Sequence, residues 1–161
     1  MAKDQLWKGG RITNHLSRLR HFRGHGIHSP FIYSIMRNVF MKRRLQCENV
    51  ALFEQLQAIA SNTQSAYEIA NLATHCNLNN FSIDSSAGKE LIICSADCHP
   101  QRIVSLCHDA ATNGITFVIL HPYKHRKLCD QLLKENRSTS LDRFGYIVLF
   151  NNNLPKQHYK L

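Results

Sequence analysis

Leu91-Ile92-Ile93-Cys94, Ile115-Thr116-Phe117-Val118-Ile119-Leu120 and Tyr146-Ile147-Val148-Leu149-Phe150 decide the fold class. Each is a short continuous apolar run of strand length, and the last two are rich in β-branched or aromatic residues. Helical stretches lie between them, Pro100 to Thr112 and Lys124 to Asn136, at a spacing that matches consecutive βαβ units. Runs that are apolar on both faces fit a parallel sheet. After the third run, Asn151-Asn152-Asn153-Leu154-Pro155 is turn chemistry, and Gln157 to Leu161 is expected to return as an antiparallel edge strand.

Upstream of these runs the pattern is helical. Ile12, Leu16, Leu19 and Phe22 recur at helical spacing among Arg11, Arg18, Arg20 and Arg23, which predicts an amphipathic basic helix ended by Gly24 and Gly26. Ser29-Pro30 pairs an N-cap with the favoured first helical residue, and Phe31, Ile32, Ile35, Met36, Val39 and Phe40 make one apolar face. Lys42, Arg43 and Arg44 close that helix where its dipole favours cations. Further helices are expected over 48–60 and 65–76, and Asn77 to Ser86 reads as a loop.

The chain has 161 residues, 43% of them hydrophobic, enough for one domain with its own core. No apolar run is long enough to span a bilayer, and Met1 to Arg11 lacks the apolar core of a signal peptide, so a cytoplasmic protein is expected. In that compartment Cys47, Cys76, Cys94, Cys98, Cys107 and Cys129 are thiols rather than a disulfide framework. Residues 1–44 hold ten Lys or Arg against Asp4 alone, a net of +9; residues 45–161 hold ten against ten. Such asymmetry points the arm at an acidic partner, with nucleic acid or an anionic surface the usual candidates. Arg18, Arg20, Arg23, Lys42, Arg43 and Arg44 are the candidate phosphate contacts, with Phe22, Phe31 and Tyr33 available to stack on bases if exposed. The competing expectation is a solvated basic face with those aromatics in the core.

Two stretches resemble a known family. His25-Gly26-Ile27-His28-Ser29-Pro30-Phe31, followed by an amphipathic helix, is similar to the N-terminal signature of a bacterial group of class I S-adenosylmethionine (SAM) dependent methyltransferases. Phe144 to Phe150, the turn, and Leu154 to Tyr159 resemble the hairpin that ends the same proteins. The resemblance implies functional positions at His25, Gly26, His28, Ser29, Pro30 and Phe31, and at Asp97 and His99 in the loop after Leu91 to Cys94. Such enzymes seat the cofactor where the first strand meets a glycine-rich turn, because only glycine lets the backbone approach the ligand. None of Gly9, Gly10, Gly24, Gly26, Gly88, Gly114 and Gly145 stands in such a turn. The cofactor-binding half is expected to be deleted between residues 45 and 88.

Other chemistries find little footing. Cys94, Cys98, His99, Cys107 and His108 form the densest set of metal-ligand types, but C-x3-C-H matches no standard zinc spacing; inert core thiols and no metal are expected. Asp97 is either a general base or, more simply, a helix cap or solvated group. No nucleophile elbow or P-loop occurs.

The expected protein is α/β: a partial Rossmann-like, mostly parallel sheet of three or four strands with an α-helical N-terminal region. Its parts are a basic helical arm (1–46), a helical connector and loop (47–88) and an α/β half-domain with a C-terminal hairpin (89–161). The expected function is that of a shortened, non-catalytic methyltransferase relative with no cofactor. The alternatives are an active SAM-dependent methyltransferase and a basic nucleic-acid or protein interaction module. A half sheet exposes an edge, so a homodimer through that edge is expected.

Overall fold

The structure is a computed structural model, and it describes residues 29–42, 44–46 and 49–161. The basic arm helix, His25, Gly26, His28, Arg18, Arg20, Arg23, Arg43 and Cys47 lie outside the described residues.

Six strands form one mixed sheet: β1 (Phe81–Ile83), β2 (Leu91–Cys94), β3 (Thr116–Leu120), β4 (Ser140–Arg143), β5 (Tyr146–Leu149) and β6 (His158–Lys160). Their order is β1-β2-β3-β5-β4-β6. This corrects the expectation of three or four mostly parallel strands in a partial Rossmann-like sheet. β1, β2 and β3 are parallel neighbours, but β5 runs antiparallel to both β3 and β4. The reversal is made by a tight hairpin at Phe144-Gly145, where Gly145 takes a φ of 102° that other residues rarely adopt. The hairpin expected between residues 146–150 and 157–161 does not form. β6 lies on the far side of β4, parallel to it, with Leu141 opposite Tyr159.

Helices cover both faces. α1 (Pro30–Ile35) continues as a π-helical turn (Met36–Phe40), and α2 (Val50–Ile59) and α3 (Thr63–His75) follow. These three pack on one face with Ile93, Val118, Leu141, Tyr146 and Val148. α4 (Pro100–Asn113) and α5 (Arg126–Glu135) pack on the other with Ile92, Phe117, Ile119 and Ile147. Successive strand residues therefore alternate between two cores, as the pleat requires. Each such side chain removed from water contributes on the order of 1.5–3 kcal/mol.

The caps follow the local sequence. Ser29 Oγ accepts from Ile32 N and Pro30 opens α1; Asn49 and Asn62 cap α2 and α3 in the same way, through Leu52 N and Ser65 N. α4 ends at Gly114 in the left-handed conformation.

The connection from β1 to β2 is unusual. Adjacent parallel strands ordinarily need a crossover of roughly a dozen residues or more, yet here residues 84–90 suffice. Glu90 supplies the clasp: one carboxylate oxygen accepts from Asn79 N and Asn80 N at 2.6 and 2.8 Å, while Asn80 Oδ1 accepts from Lys89 N. Gly88 is packed so tightly that a Cβ there would lie 2.3 Å from Leu91 O and 2.7 Å from Ser82 N.

Candidate functional site

In a parallel sheet the carboxyl ends of the strands present loops and unpaired backbone groups to a ligand. Here those ends carry Asp84 after β1, Ser95-Ala96-Asp97-Cys98 after β2 and His121-Pro122-Tyr123-Lys124 after β3. Together with Ile59 and Ala60 at the end of α2, the second and third loops line an open cleft of about 310 Å³. That is the lower end of the range for small-molecule sites.

His121 organises the cleft. It is a non-glycine residue at φ 50°, and its backbone N–H donates to Gly145 O at 2.9 Å. Its Nε2 lies 3.0 Å from Ile59 O, and its Nδ1 lies 2.8 Å from the Tyr123 hydroxyl. A carbonyl oxygen only accepts, so Nε2 donates to Ile59 O, while Nδ1 is hydrogen-bonded to the Tyr123 hydroxyl. Both nitrogens are thereby spent on structure. The ring ties the end of α2 to the end of β3 and orients Tyr123, which is 62% exposed at the rim.

Asp97 has no such support. Its side chain is 95% exposed, with Lys124 Nζ 3.6 Å away. The cap of α4 is not Asp97 but His99, whose Nδ1 accepts from Gln101 N. Of the two roles weighed for Asp97 as a structural group, the geometry leaves the solvated one.

A second cluster lies beside the cleft. Cys94 and Cys98, 0% and 7% exposed, meet the carboxylate of Asp84, and the three ligand atoms lie within 4.8 Å of one another. Asp84 is held by Ser95, whose N–H donates to Oδ1 at 2.8 Å and whose hydroxyl donates to Oδ2 at 2.6 Å. Burial first, then the Asp84 charge, hold the Cys98 thiol above its ordinary range, and burial pushes the Cys94 thiol up further. The other residues of the cysteine–histidine set disperse: Cys107 is buried between α4 and α5, and His99 and His108 are exposed. Asp84 was not among the sequence candidates. A residue that reaches Cys94 across β1–β2 pairing leaves no mark in linear spacing.

A third polar group is centred on a buried carboxylate. Glu68 on α3, 3% exposed, receives Nε and a second guanidinium nitrogen of Arg143 and the hydroxyl of Tyr146 at 2.7 Å. Arg143 also stacks over Phe40 at 4.5 Å. The signal in the sequence is a carboxylate between Ala66 and Ile69 on an apolar helix face.

The N-terminal signature is described only from Ser29 onward. Ser29 and Pro30 serve as cap and first turn, and Phe31 packs edge-on against Phe150 with centroids 4.9 Å apart. Phe31 is thus partly withdrawn from any stacking role, while Tyr33 is 42% exposed. Lys42 and Arg44 are exposed. Among the described residues no helix is long and apolar enough to cross a membrane. No family model, no curated protein and no solved structure matches the chain.

Proposed function

We propose that this chain is a shortened relative of the SAM-dependent methyltransferases with no transfer activity of its own. The reading is carried by the carboxyl end of β1. A methyltransferase of the kind it resembles needs open backbone there for the adenosyl ligand. In this chain both carboxylate oxygens of Asp84 accept hydrogen bonds from Ser95, and residues 84–90 turn directly back into β2. Gly88 is hemmed in by Leu91 O and Ser82 at the opposite end of the strands. In the adjoining cleft the carboxylate is solvated and the imidazole is engaged on both sides, so neither is poised to take a proton from a nucleophile. Isothermal titration of the full chain with SAM and with its demethylated product tests this. No saturable heat is expected up to about 1 mM, which corresponds to about −4 kcal/mol; binding below that concentration overturns the reading.

A second reading rests on charge. The net +9 of residues 1–44, with Lys42 and Arg44 exposed between the π-helical turn and α2, supports binding to a polyanion such as nucleic acid. Retention on nucleic acid should fall steeply with salt, by roughly 0.9 log units per log unit of salt for each phosphate neutralised. Absence of retention at low salt removes it. If two copies pair through a sheet edge, β1 with Phe81 and Ile83 is the suitable one, because β6 carries His158 and Lys160, which discourage edge pairing. Light scattering reads that state directly.

A further inference from the structure

We propose that Asp84, Cys94 and Cys98 form a binding site for a thiophilic divalent cation, zinc in the first instance. This inference stands apart from the methyltransferase reading and revises the expectation of inert core thiols and no metal.

Two observations carry it. The donor atoms come from two parallel strands and the turn after them, and they already lie within 4.8 Å of one another. A zinc ion with Zn–S bonds of about 2.3 Å and a Zn–O bond of about 2.1 Å holds its ligand atoms about 3.5–3.8 Å apart, so small rotations suffice. Cys94 and Cys98 are almost fully buried, and the carboxylate that meets them is held in place by Ser95. A cation at the centre replaces both thiol protons, which leave to solvent, and converts a costly approach of a carboxylate to two sulfurs into coordination.

The surroundings fit. Ser95 grips both oxygens of Asp84 and fixes the carboxylate, as the outer shell of a metal site does. Two sulfurs and one oxygen suit zinc better than the hard cations, which prefer all-oxygen sets. Three protein ligands leave a fourth position for water or an exogenous group.

The test uses the full chain, stripped of metal with a chelator and kept reduced with a phosphine. Zinc is titrated against a chromophoric chelator, and cobalt(II) is added separately as a spectroscopic probe. The expected result is one zinc per chain, with a cobalt spectrum showing thiolate-to-metal charge transfer. Cys98→Ser and Asp84→Asn should each weaken zinc by at least about tenfold, and Ser95→Ala by about tenfold through loss of carboxylate orientation. Cys76→Ser, a thiol elsewhere in the fold, should leave the stoichiometry unchanged. Circular dichroism verifies that each variant is folded; should Cys98→Ser fail to fold, Asp84→Asn and Ser95→Ala decide. No saturable zinc binding below about 100 µM overturns the proposal. So does zinc that is retained undiminished in the folded variants, because the metal is then held by other residues.

Discussion

Arg143 on β4 reaches Glu68 on α3 through Nε at 3.1 Å and a second guanidinium nitrogen, joining the hairpin to the helical layer by a two-pronged ion pair. Tyr146 completes it at 2.7 Å, so the carboxylate has three donors although it is buried. A network of this kind adds little over well-packed apolar residues, but removing one member leaves the others desolvated and unpaired.

Glu68→Ala should therefore cost about 3–5 kcal/mol, while Tyr146→Phe should cost about 1–2 kcal/mol because only one hydrogen bond is lost. Urea denaturation of each variant, read as the shift in midpoint at constant slope, gives both numbers. A cost for Glu68→Ala within 1 kcal/mol of zero, as on the order expected of a surface pair, refutes the role assigned to the network.

The buried thiols predict instability in alkali. Burial pushes Cys107 up to about 12 from its ordinary 9.0, and Cys76 and Cys129 up to about 11. These groups hold their protons in the folded state after the unfolded chain has released them. The unfolded state then binds fewer protons, so stability falls as pH rises. Their contribution is intact below pH about 9 and is lost progressively between about 9 and 12. Denaturation midpoints measured from neutral to alkaline pH under reducing conditions check the sign; a flat profile up to pH about 11 contradicts the burial.

At Gly145 two penalties coincide. The residue sits at φ 102°, and an added Cβ would lie 2.2 Å from Ser61 Oγ. At Gly114, φ 66°, the nearest atom to a Cβ is Asn151 O at 3.6 Å, so only the backbone penalty applies. Gly114→Ala is expected to cost about 1–2 kcal/mol and Gly145→Ala at least 1 kcal/mol more, on the order of an overpacked contact. Thermal melting of the pair settles the ranking.

His121 combines a left-handed backbone with two side-chain ties. His121→Asn keeps tolerance of that backbone and loses the ties, at about 1–2 kcal/mol. His121→Val adds a β-branched residue at positive φ and should cost 1–3 kcal/mol more, on the order of a strained backbone site. Amide exchange at Ser61 and Tyr123 should quicken in both variants, since the latch between α2 and β3 is released in each.

Much of the architecture was legible. Ser29-Pro30, the apolar face from Ile32 to Phe40 and the three apolar runs each appear as elements, because cap chemistry and hydrophobic periodicity are local properties. What escaped was short or polar. β1 has three residues between Asn79-Asn80 and Asp84-Ser85-Ser86, so turn formers mask it. β4 reads Ser140-Leu141-Asp142-Arg143, three polar residues out of four, although Ser140 and Asp142 are buried in the fold. Strand order was beyond reach as well, being settled by the Gly145 turn and the docking of β6. In the site, Asp97 and Cys94 were visible as residue types. Asp84 and the double engagement of His121 depend on contacts between elements far apart in the chain.

The brevity of the link over residues 84–90 also bears on how the chain acquires its shape. Joining parallel strands ordinarily demands closure of a long loop before any ladder is formed, which slows folding. Here Phe81 meets Leu91 and Ile83 meets Ile93 across ten positions of sequence, a separation typical of a hairpin. The β1–β2 ladder is thus a low-contact-order unit able to close early, giving β3 a ready template against which the distant remainder of the sheet assembles.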